Sequence, residues 1–414
     1  MIIAEAGGFE PPVQLPVRQF SKLLVSATHP HFLLVILLKS DANIQVCFQL
    51  FKEKLFFKYE YITFAVMKKG SKKKNRKKQI IWTVSIIVLL IISVAVFLYS
   101  MVFKPITLSE TKYIYINEDR DYESVIDQLN ENVEQLNEDV FRVLAKKMNY
   151  PNMVKTGRYA IEGGMTMPDI IRRLRSGSQE PINLTFNNIR SMENLAGRLA
   201  SQLMVDSISI INILNDSTVS KSYGFNKQTF GAMFIPNTYE VYWDTKIESL
   251  MNRMKREYDV FWSSSRMAKA EKIGLTPLEV IILASIVEEE ATYADEYSTV
   301  AGLYINRLKR GMRLEADPTV KFAVGDPTLR RILFKHLEVE SPYNTYKNSG
   351  LPPGPIRMPS TATIDATLLP TQHNYLFMCA KDDLSGRHNF AVTHAEHARN
   401  ARAYQQALNK RGIF

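Results

Sequence analysis

The chain of 414 residues contains only two cysteines, Cys47 and Cys379. Two thiols cannot build the disulfide framework of a small secreted domain, nor the thiolate cluster of a structural zinc site. Histidines are also few, seven in all. His388, His394 and His397 lie close together, but no cysteine or aspartate stands at a standard ligand spacing from them. We therefore interpret them as surface histidines of a helix, and we expect neither a metal nor a cofactor.

Acidic residues are absent from residues 67–78, MKKGSKKKNRKK, which contain eight lysines or arginines. The whole chain has a formal net charge of +10, and most of the excess lies in this short run. A nucleic-acid-binding protein would carry its basic surface on the folded part. We therefore expect no nucleic-acid partner, and the basic run requires a local explanation.

Charge of either sign is absent from the next apolar run, residues 80–103. A helix of this length would measure roughly 36 Å and could cross an apolar bilayer core about 30 Å thick. Because the basic run precedes the span, we expect a cytoplasmic N-terminus, with the later domains outside the cell or in the periplasm. No small-residue cleavage site follows the span, so we expect a retained single-pass anchor in the cytoplasmic (inner) membrane.

Within residues 1–66, the apolar run 32–38 is too short to span a membrane and the aromatic-rich stretch 48–66 has no clear period. Met67, by contrast, opens an ordinary signal anchor of basic run and apolar span. We therefore expect translation to begin at Met67 and residues 1–66 to be a non-native upstream extension. Residues 67–79 then form a basic cytoplasmic segment.

The remaining sequence predicts an α+β fold in two parts. Residues 108–185 alternate strand and helix patterns in the order strand, helix, helix, strand, helix. Residues 186–414 mix several helices with short strands and end in a helix predicted at 394–410. The motif TPLE at 276–279 predicts the capped start of a further helix. We therefore predict a small α+β subdomain followed by a larger mixed α/β domain.

That capped helix begins apolar and ends on three carboxylates, Glu288, Glu289 and Glu290. At about 100° per residue, Glu290 lies on the stripe of Leu283 and Val287, and Glu288 lies on a second stripe with Ala284 and Ala291. At least one of these two glutamates should therefore continue an apolar face toward the interior, whereas Glu289 points between solvent-facing neighbours. Mutual repulsion, apolar surroundings and the helix macrodipole all raise a carboxyl pKa, as a general acid for glycoside cleavage requires. The alternative is a frayed, solvated helix end.

Polar residues suited to a hydroxyl-rich or N-acetylated ligand follow within about 60 residues of this helix. A stiff Pro- and Gly-rich loop at 350–354 could form the wall of a groove. The candidate residues in this part of the chain are Asn306, Arg307, Asp317, Thr319, Tyr343, Asn344 and Tyr346.

Five sequence blocks, in this order and spacing, resemble the MltG/YceG-like endolytic murein transglycosylases. The blocks are FIPNTYEV (234–241), ASIVEEEA (284–291), VAGLYINRLKRGMRLEADPTV (300–320), SPYNTYKNSGLPPGPI (341–356) and GRHNF (386–390). The resemblance covers about 108–412. It implies that residues 108–185 form a LysM-like subdomain and that residues 186–414 form a YceG-like catalytic domain.

The resemblance also implies an activity. Such enzymes are membrane-anchored and cut MurNAc–GlcNAc β-1,4 bonds of nascent peptidoglycan, leaving 1,6-anhydro-MurNAc ends without using water. One glutamate of a Val-Glu-x-Glu segment is catalytic, and both Glu290 and Glu288 match that segment; we favour Glu290. The chain departs from the family pattern at 230–232 and at Asn237, where the family has Glu-Gly and Asp. Implied substrate-binding residues also include Tyr239 and His388, and implied partners are glycan strands, the cytoplasmic membrane and peptidoglycan synthases.

Two other functions remain open. A LysM-like subdomain would suit a non-catalytic scaffold that binds peptidoglycan and recruits synthesis enzymes. A hydrolytic muramidase would need a positioned water and a second carboxylate, for which Asp317 is the candidate.

Overall fold

The computed structural model describes residues 74–412, except for residues 135, 327, 328 and 330. The expectations for residues 1–66, for Cys47 and for most of the basic segment lie outside the described residues. The chain divides into two units, residues 1–98 and 99–414.

Helix α1 spans Lys74–Phe103 and confirms the helix expected at 80–103. Its segment Arg76–Phe103 is long and apolar enough to cross a membrane, and it is the one such helix in the part of the chain that the structure describes. Large apolar side chains such as Trp82 and Leu89 are exposed on it, as expected for a surface that faces lipid. The orientation of the helix stays a prediction.

Five elements follow in the predicted order: β1 (Lys112–Ile116), α2 (Tyr122–Asn132), α3 (Glu138–Lys147), β2 (Gly157–Ile161) and α4 (Met167–Ser176). Strands β1 and β2 pair antiparallel, with Ile114 opposite Tyr159. The helices pack against this two-stranded sheet around a core of buried residues that includes Phe141 and Leu174. Helix α4 ends at Gly177, whose φ of 78° lies in the left-handed region that glycine adopts without strain.

The next elements are β3 (Ile182–Phe186), α5 (Met192–Ala200), α6 (Ser207–Asn215), α7 (Ser217–Ser222), a 3₁₀ turn (Phe230–Met233) and β4 (Asn237–Val241). Strand β3 pairs antiparallel with β4, and Leu184 lies opposite Tyr239 in a second core. The predicted domain boundary between residues 185 and 186 therefore falls inside a strand. The sequence did not predict β3, because its partner is about 50 residues distant.

The C-terminal elements are α8 (Ile247–Phe261), α9 (Ser264–Ile273), α10 (Pro277–Glu290), α11 (Tyr297–Lys309), α12 (Asp317–Val324), α13 (Phe334–Leu337), α14 (Thr361–Leu368), β5 (Phe377–Ala380), β6 (His388–Ala391) and α15 (His394–Lys410). Strands β5 and β6 form an antiparallel hairpin, with Ala380 opposite His388. Helix α10 packs against α11 and α14. All residues from Val280 to Val287 are buried, so α10 is buried on every face rather than along a stripe.

A polar junction connects the residues before β2 and after α4 to the loop after β4. The Thr156 hydroxyl and the Gln179 amide both donate to Asp244 Oδ2, at 2.8 and 2.9 Å. Gly157 has a φ of 139°, and a Cβ there would lie 2.2 Å from Gln179 Cδ. Only glycine therefore leaves room for Gln179 to reach Asp244.

Candidate active site

A cavity of about 470 Å³ opens beside the C-terminal end of α10. Helices α10 and α11, the start of α12, the hairpin β5–β6 and α15 all contribute to its wall. The lining residues are Glu290, Leu303, Tyr304, Arg307, Glu315, Asp317, Tyr346, Phe377, Met378, Cys379, Ala380, His388 and His397.

Glu290 is the last residue of α10, and its carboxyl faces this cavity. The Tyr304 hydroxyl donates to Glu290 Oε1 at 2.7 Å. Burial raises the pKa of Glu290 to about 7; the bond from Tyr304 opposes the rise, and the charges of Asp317 and Glu289 add to it. The carboxyl therefore exchanges its proton near neutral pH.

Glu288 has a different environment and does not line the cavity. Its Oε2 accepts from the Ser360 backbone N–H at 2.6 Å and from the Thr363 hydroxyl at 2.7 Å. Its Oε1 lies 3.0 Å from Arg357 Nη2. Glu288 thus connects α10 to the start of α14, and its carboxylate has charged and polar partners on both oxygens.

The expectation that Glu289 points between solvent-facing neighbours is wrong. Its side chain is only 17% exposed and lies 2.7 Å from both Arg190 Nε and Arg357 Nη1. Because all three carboxylates at this helix end are partly buried and bonded, the alternative of a solvated, frayed terminus does not apply.

One ion pair and one hydrogen-bonded pair of side chains also line the cavity. Arg307, almost fully buried, forms an ion pair with Glu315 at 2.6 Å and donates to the Leu314 carbonyl at 2.8 Å. The Tyr346 hydroxyl donates to Asp317 Oδ1 at 2.7 Å. Burial and this bond raise the pKa of Tyr346, which keeps the phenol protonated. Besides Glu290, the cavity thus presents a guanidinium and two further carboxylates.

The histidine interpretation needs correction. His388 lies on strand β6, where its Nδ1 is 3.0 Å from Glu296 Oε2 and its backbone N–H donates to Glu296 Oε1. His397 is on α15, but it is partly buried, stacks on Phe377 and lines the cavity; burial lowers its pKa. Of these three histidines, His394 alone is an exposed helix residue. The sequence did not predict the location of His388 and His397 at the cavity, because β6 and α15 follow α10 by about 100 residues.

Five of the predicted binding residues do not line the cavity: Asn306, Thr319, Asn344, Tyr343 and Tyr239. The Asn306 amide donates to the carbonyls of His373 and Tyr375.

The other four also have internal partners. The Asn344 amide donates to two backbone carbonyls, and the Thr319 hydroxyl donates to the Ala316 carbonyl. Tyr343 packs on Phe322 with ring centroids 4.7 Å apart, and the Tyr239 hydroxyl donates to the Ile235 carbonyl. Three of these side chains thus bind backbone carbonyls, whereas Tyr343 makes a ring contact.

The remaining four predicted residues, Arg307, Asp317, Tyr346 and His388, do meet at the cavity with Glu290. Sequence reasoning missed Tyr304, Glu315, Phe377, Cys379 and His397 there. The sequence could have indicated Tyr304, because a tyrosine on the helix that follows an acidic helix end can donate a hydrogen bond to one of its carboxylates.

A model of the YceG-like family matches residues 114–403. The chain is 30% identical to an endolytic murein transglycosylase of Bacillus subtilis over 273 residues, which are 62% of this chain and 75% of that protein. It is 27% identical to an endolytic murein transglycosylase of Streptococcus pneumoniae over 292 residues. That match includes 63% of this chain and 52% of the relative, so the chain spans about half the relative's length.

A crystal structure of a YceG-like protein from Listeria monocytogenes is also similar. The identity is 26% and the TM-score 0.48, with 70% of this chain and 99% of that chain covered.

Proposed function

The chain belongs to the YceG-like family, and from this premise we propose that it is a membrane-anchored endolytic murein transglycosylase with Glu290 as its catalytic group. The general activity is that of the relatives in Bacillus subtilis and Streptococcus pneumoniae. The observation that carries the assignment of Glu290 is its position: of the three consecutive glutamates, it alone lines the cavity.

In the proposed reaction Glu290 works first as an acid. Its proton passes to the glycosidic oxygen between MurNAc and GlcNAc as the bond to the anomeric carbon breaks. The resulting carboxylate then takes the proton of the MurNAc 6-hydroxyl, whose oxygen attacks the same anomeric carbon. The product is a 1,6-anhydro-MurNAc end, and Glu290 regains its proton.

The protonation behaviour of Glu290 supports both halves of this cycle. With a pKa of about 7, both the protonated and the ionised form of the carboxyl are populated near neutral pH. Because the nucleophile belongs to the substrate, one carboxyl is enough.

The polar cavity residues suit a sugar ligand. We assign substrate binding to Arg307, Asp317, Tyr346 and His388, which combine a buried cation, a carboxylate, a phenol and an imidazole. The five predicted residues outside the cavity would act on the substrate indirectly, through the backbone segments or the aromatic ring that they contact; they are Asn306, Thr319, Asn344, Tyr343 and Tyr239. Neither a metal nor a cofactor has a role in this scheme.

Location and partners follow from the same proposal. Helix α1 would anchor the enzyme in the cytoplasmic membrane, with its basic end in the cytoplasm and the cavity on the outer side. There it would meet nascent glycan strands and the peptidoglycan synthases that make them. Residues 108–185 would form the LysM-like subdomain.

Asp317 favours a second candidate function. It supplies another carboxylate in the same cavity, so a hydrolytic muramidase with Glu290 as acid and Asp317 as its partner has the required groups. A hydrolase would release a reducing end that is heavier than the anhydro end by one water.

Mass spectrometry of digested glycan strands tests these functions. The unmodified protein should produce anhydro ends, and Glu290→Gln should lower their rate by about 10²- to 10⁴-fold. Glu288→Gln is the matched control, and the fraction that remains folded should keep its activity, because Glu288 is outside the cavity.

Other results would contradict the assignment. Undiminished anhydro product from Glu290→Gln would exclude Glu290 as the catalytic group. Hydrated ends would indicate the muramidase, and strands bound but uncut by the unmodified protein would indicate a non-catalytic scaffold.

A further inference from the structure

We propose that Tyr304 is a positioning residue for Glu290: its hydroxyl holds Oε1 of the carboxyl, so that the transferable proton is carried on Oε2, and it sets the pH range over which the carboxyl works. The inference rests on the proposed function of Glu290. Nothing in the sequence pattern that identified the site gave Tyr304 a role.

The position of Tyr304 makes it a fixed donor. It lies in the middle of α11, is only 1% exposed and belongs to the buried core around α10 and α11. Its hydroxyl lies 2.7 Å from Glu290 Oε1 at the wall of the cavity. A ring that is buried to this extent has little freedom to rotate, so the bond holds Oε1 of the carboxyl against the protein interior.

The protonation of the phenol decides the direction of the bond. Burial, followed by the charge of Glu290 and the bond to it, raises the pKa of Tyr304 well above 10. The phenol therefore keeps its proton throughout the working range and donates to Oε1. An oxygen that accepts this bond is a poor place for the acid proton, which is then held on Oε2.

The same bond determines how strongly Glu290 retains that proton. A donor to a carboxylate stabilises the ionised form more than the neutral acid, so it opposes the effect of burial. Removing the hydroxyl while keeping the ring should therefore move the titration of Glu290 to higher pH, by about one pH unit.

Several other ionisable groups face Glu290 and could affect its titration. Glu289 precedes it on α10, and Asp317 faces it from the start of α12. The remaining ionisable groups that line the cavity are Arg307 on α11, Glu315, Tyr346, Cys379 on β5, His388 on β6 and His397 on α15. Because several ionisable groups share the cavity, a rate profile alone would not identify the group that titrates.

The test compares Tyr304→Phe with Tyr297→Phe, a matched control that makes the same change on α11 outside the cavity. The full chain, in detergent and with ¹³C-labelled glutamate carboxyls, is titrated by NMR. The Glu290 signal is assigned by its loss in Glu290→Gln. We expect the midpoint to rise by about one pH unit in Tyr304→Phe and to stay in place in Tyr297→Phe.

Kinetics give the second readout. The decline of kcat/KM for anhydro-product formation at high pH should move upward by the same amount in Tyr304→Phe. The kcat at the optimum should fall several-fold with little change in KM, since the proton is no longer confined to Oε2. An unchanged or lowered midpoint, or a profile that stays in place, would overturn the inference.

Two further measurements keep the test decisive. If Tyr304→Phe does not fold, the Tyr304 Cζ signal of the unmodified protein is followed instead; it should shift with the Glu290 midpoint, and a constant signal would overturn the inference. If Glu290→Gln retains full activity, the proposed function fails, whereas the NMR midpoint still supports or refutes the control of this carboxyl by Tyr304.

Discussion

Replacing Glu290 with glutamine should stabilise the folded protein at pH 8 while removing its proposed catalytic proton. The ordinary pKa of a glutamate is 4.5, and burial raises that of Glu290 to about 7. Between these values the folded chain retains a proton that the unfolded chain has released. The free energy of unfolding therefore falls as the pH rises through this window, and the whole penalty is present above it.

The size of the penalty follows from the two pKa values. A difference of one in pKa corresponds to about 1.4 kcal/mol, which gives roughly 3 kcal/mol for Glu290. Because the side chain is partly open to the cavity, solvent reduces this figure, and we expect about 2 kcal/mol. Glutamine has nearly the same shape and can accept the Tyr304 bond, but it never ionises.

The assay is urea unfolding of the full chain in detergent, followed by tryptophan fluorescence at about pH 5 and pH 8. Glu290→Gln should be about 2 kcal/mol more stable than the unmodified protein at pH 8, and much less so at pH 5. Glu288→Gln is the matched control: it removes the charge opposite the buried Arg357 and should destabilise at both pH values. No gain at pH 8, or an equal gain at both values, would refute the burial argument.

Two other substitutions test the framework around the site. Gly157→Ala should destabilise the fold by about 1 to 3 kcal/mol in the same unfolding assay. The reason is that a φ of 139° is strained for alanine and that the new methyl group displaces Gln179. A loss of less than a few tenths of a kcal/mol would contradict this. Arg357→Met should cost about 3 kcal/mol at pH 8, since Glu288 and Glu289 lose a buried cation. Unchanged stability there would mean that water replaces the guanidinium.

Local signals in the sequence determined several elements almost to the residue. The final helix, predicted at 394–410, is α15 (His394–Lys410). The capped start of α10 is also as predicted, with reciprocal bonds between Thr276 and Glu279. Caps and apolar periodicity act over three or four residues, so a sequence carries them in full.

Elements without such signals were not predicted. Helix α6 (Ser207–Asn215) is short and rich in isoleucine, which favours strands. Strand β3 is five residues long and pairs with β4 about 50 residues away, and β6 has only four residues. Tertiary packing fixes such segments.

The candidate site shows the same division. The sequence by itself placed carboxylates at the end of an apolar helix. Through the family resemblance, it limited the candidates for the proposed catalytic group to Glu288 and Glu290. The tertiary structure decided how the two glutamates differ. Glu288 is bound by Arg357, Ser360 and Thr363, which follow it by about 70 residues in the chain. Glu290 instead accepts a hydrogen bond from Tyr304 and lines the cavity. The reason is physical, because burial and hydrogen bonding set the pKa of a carboxyl, and both depend on groups that only the folded chain brings together.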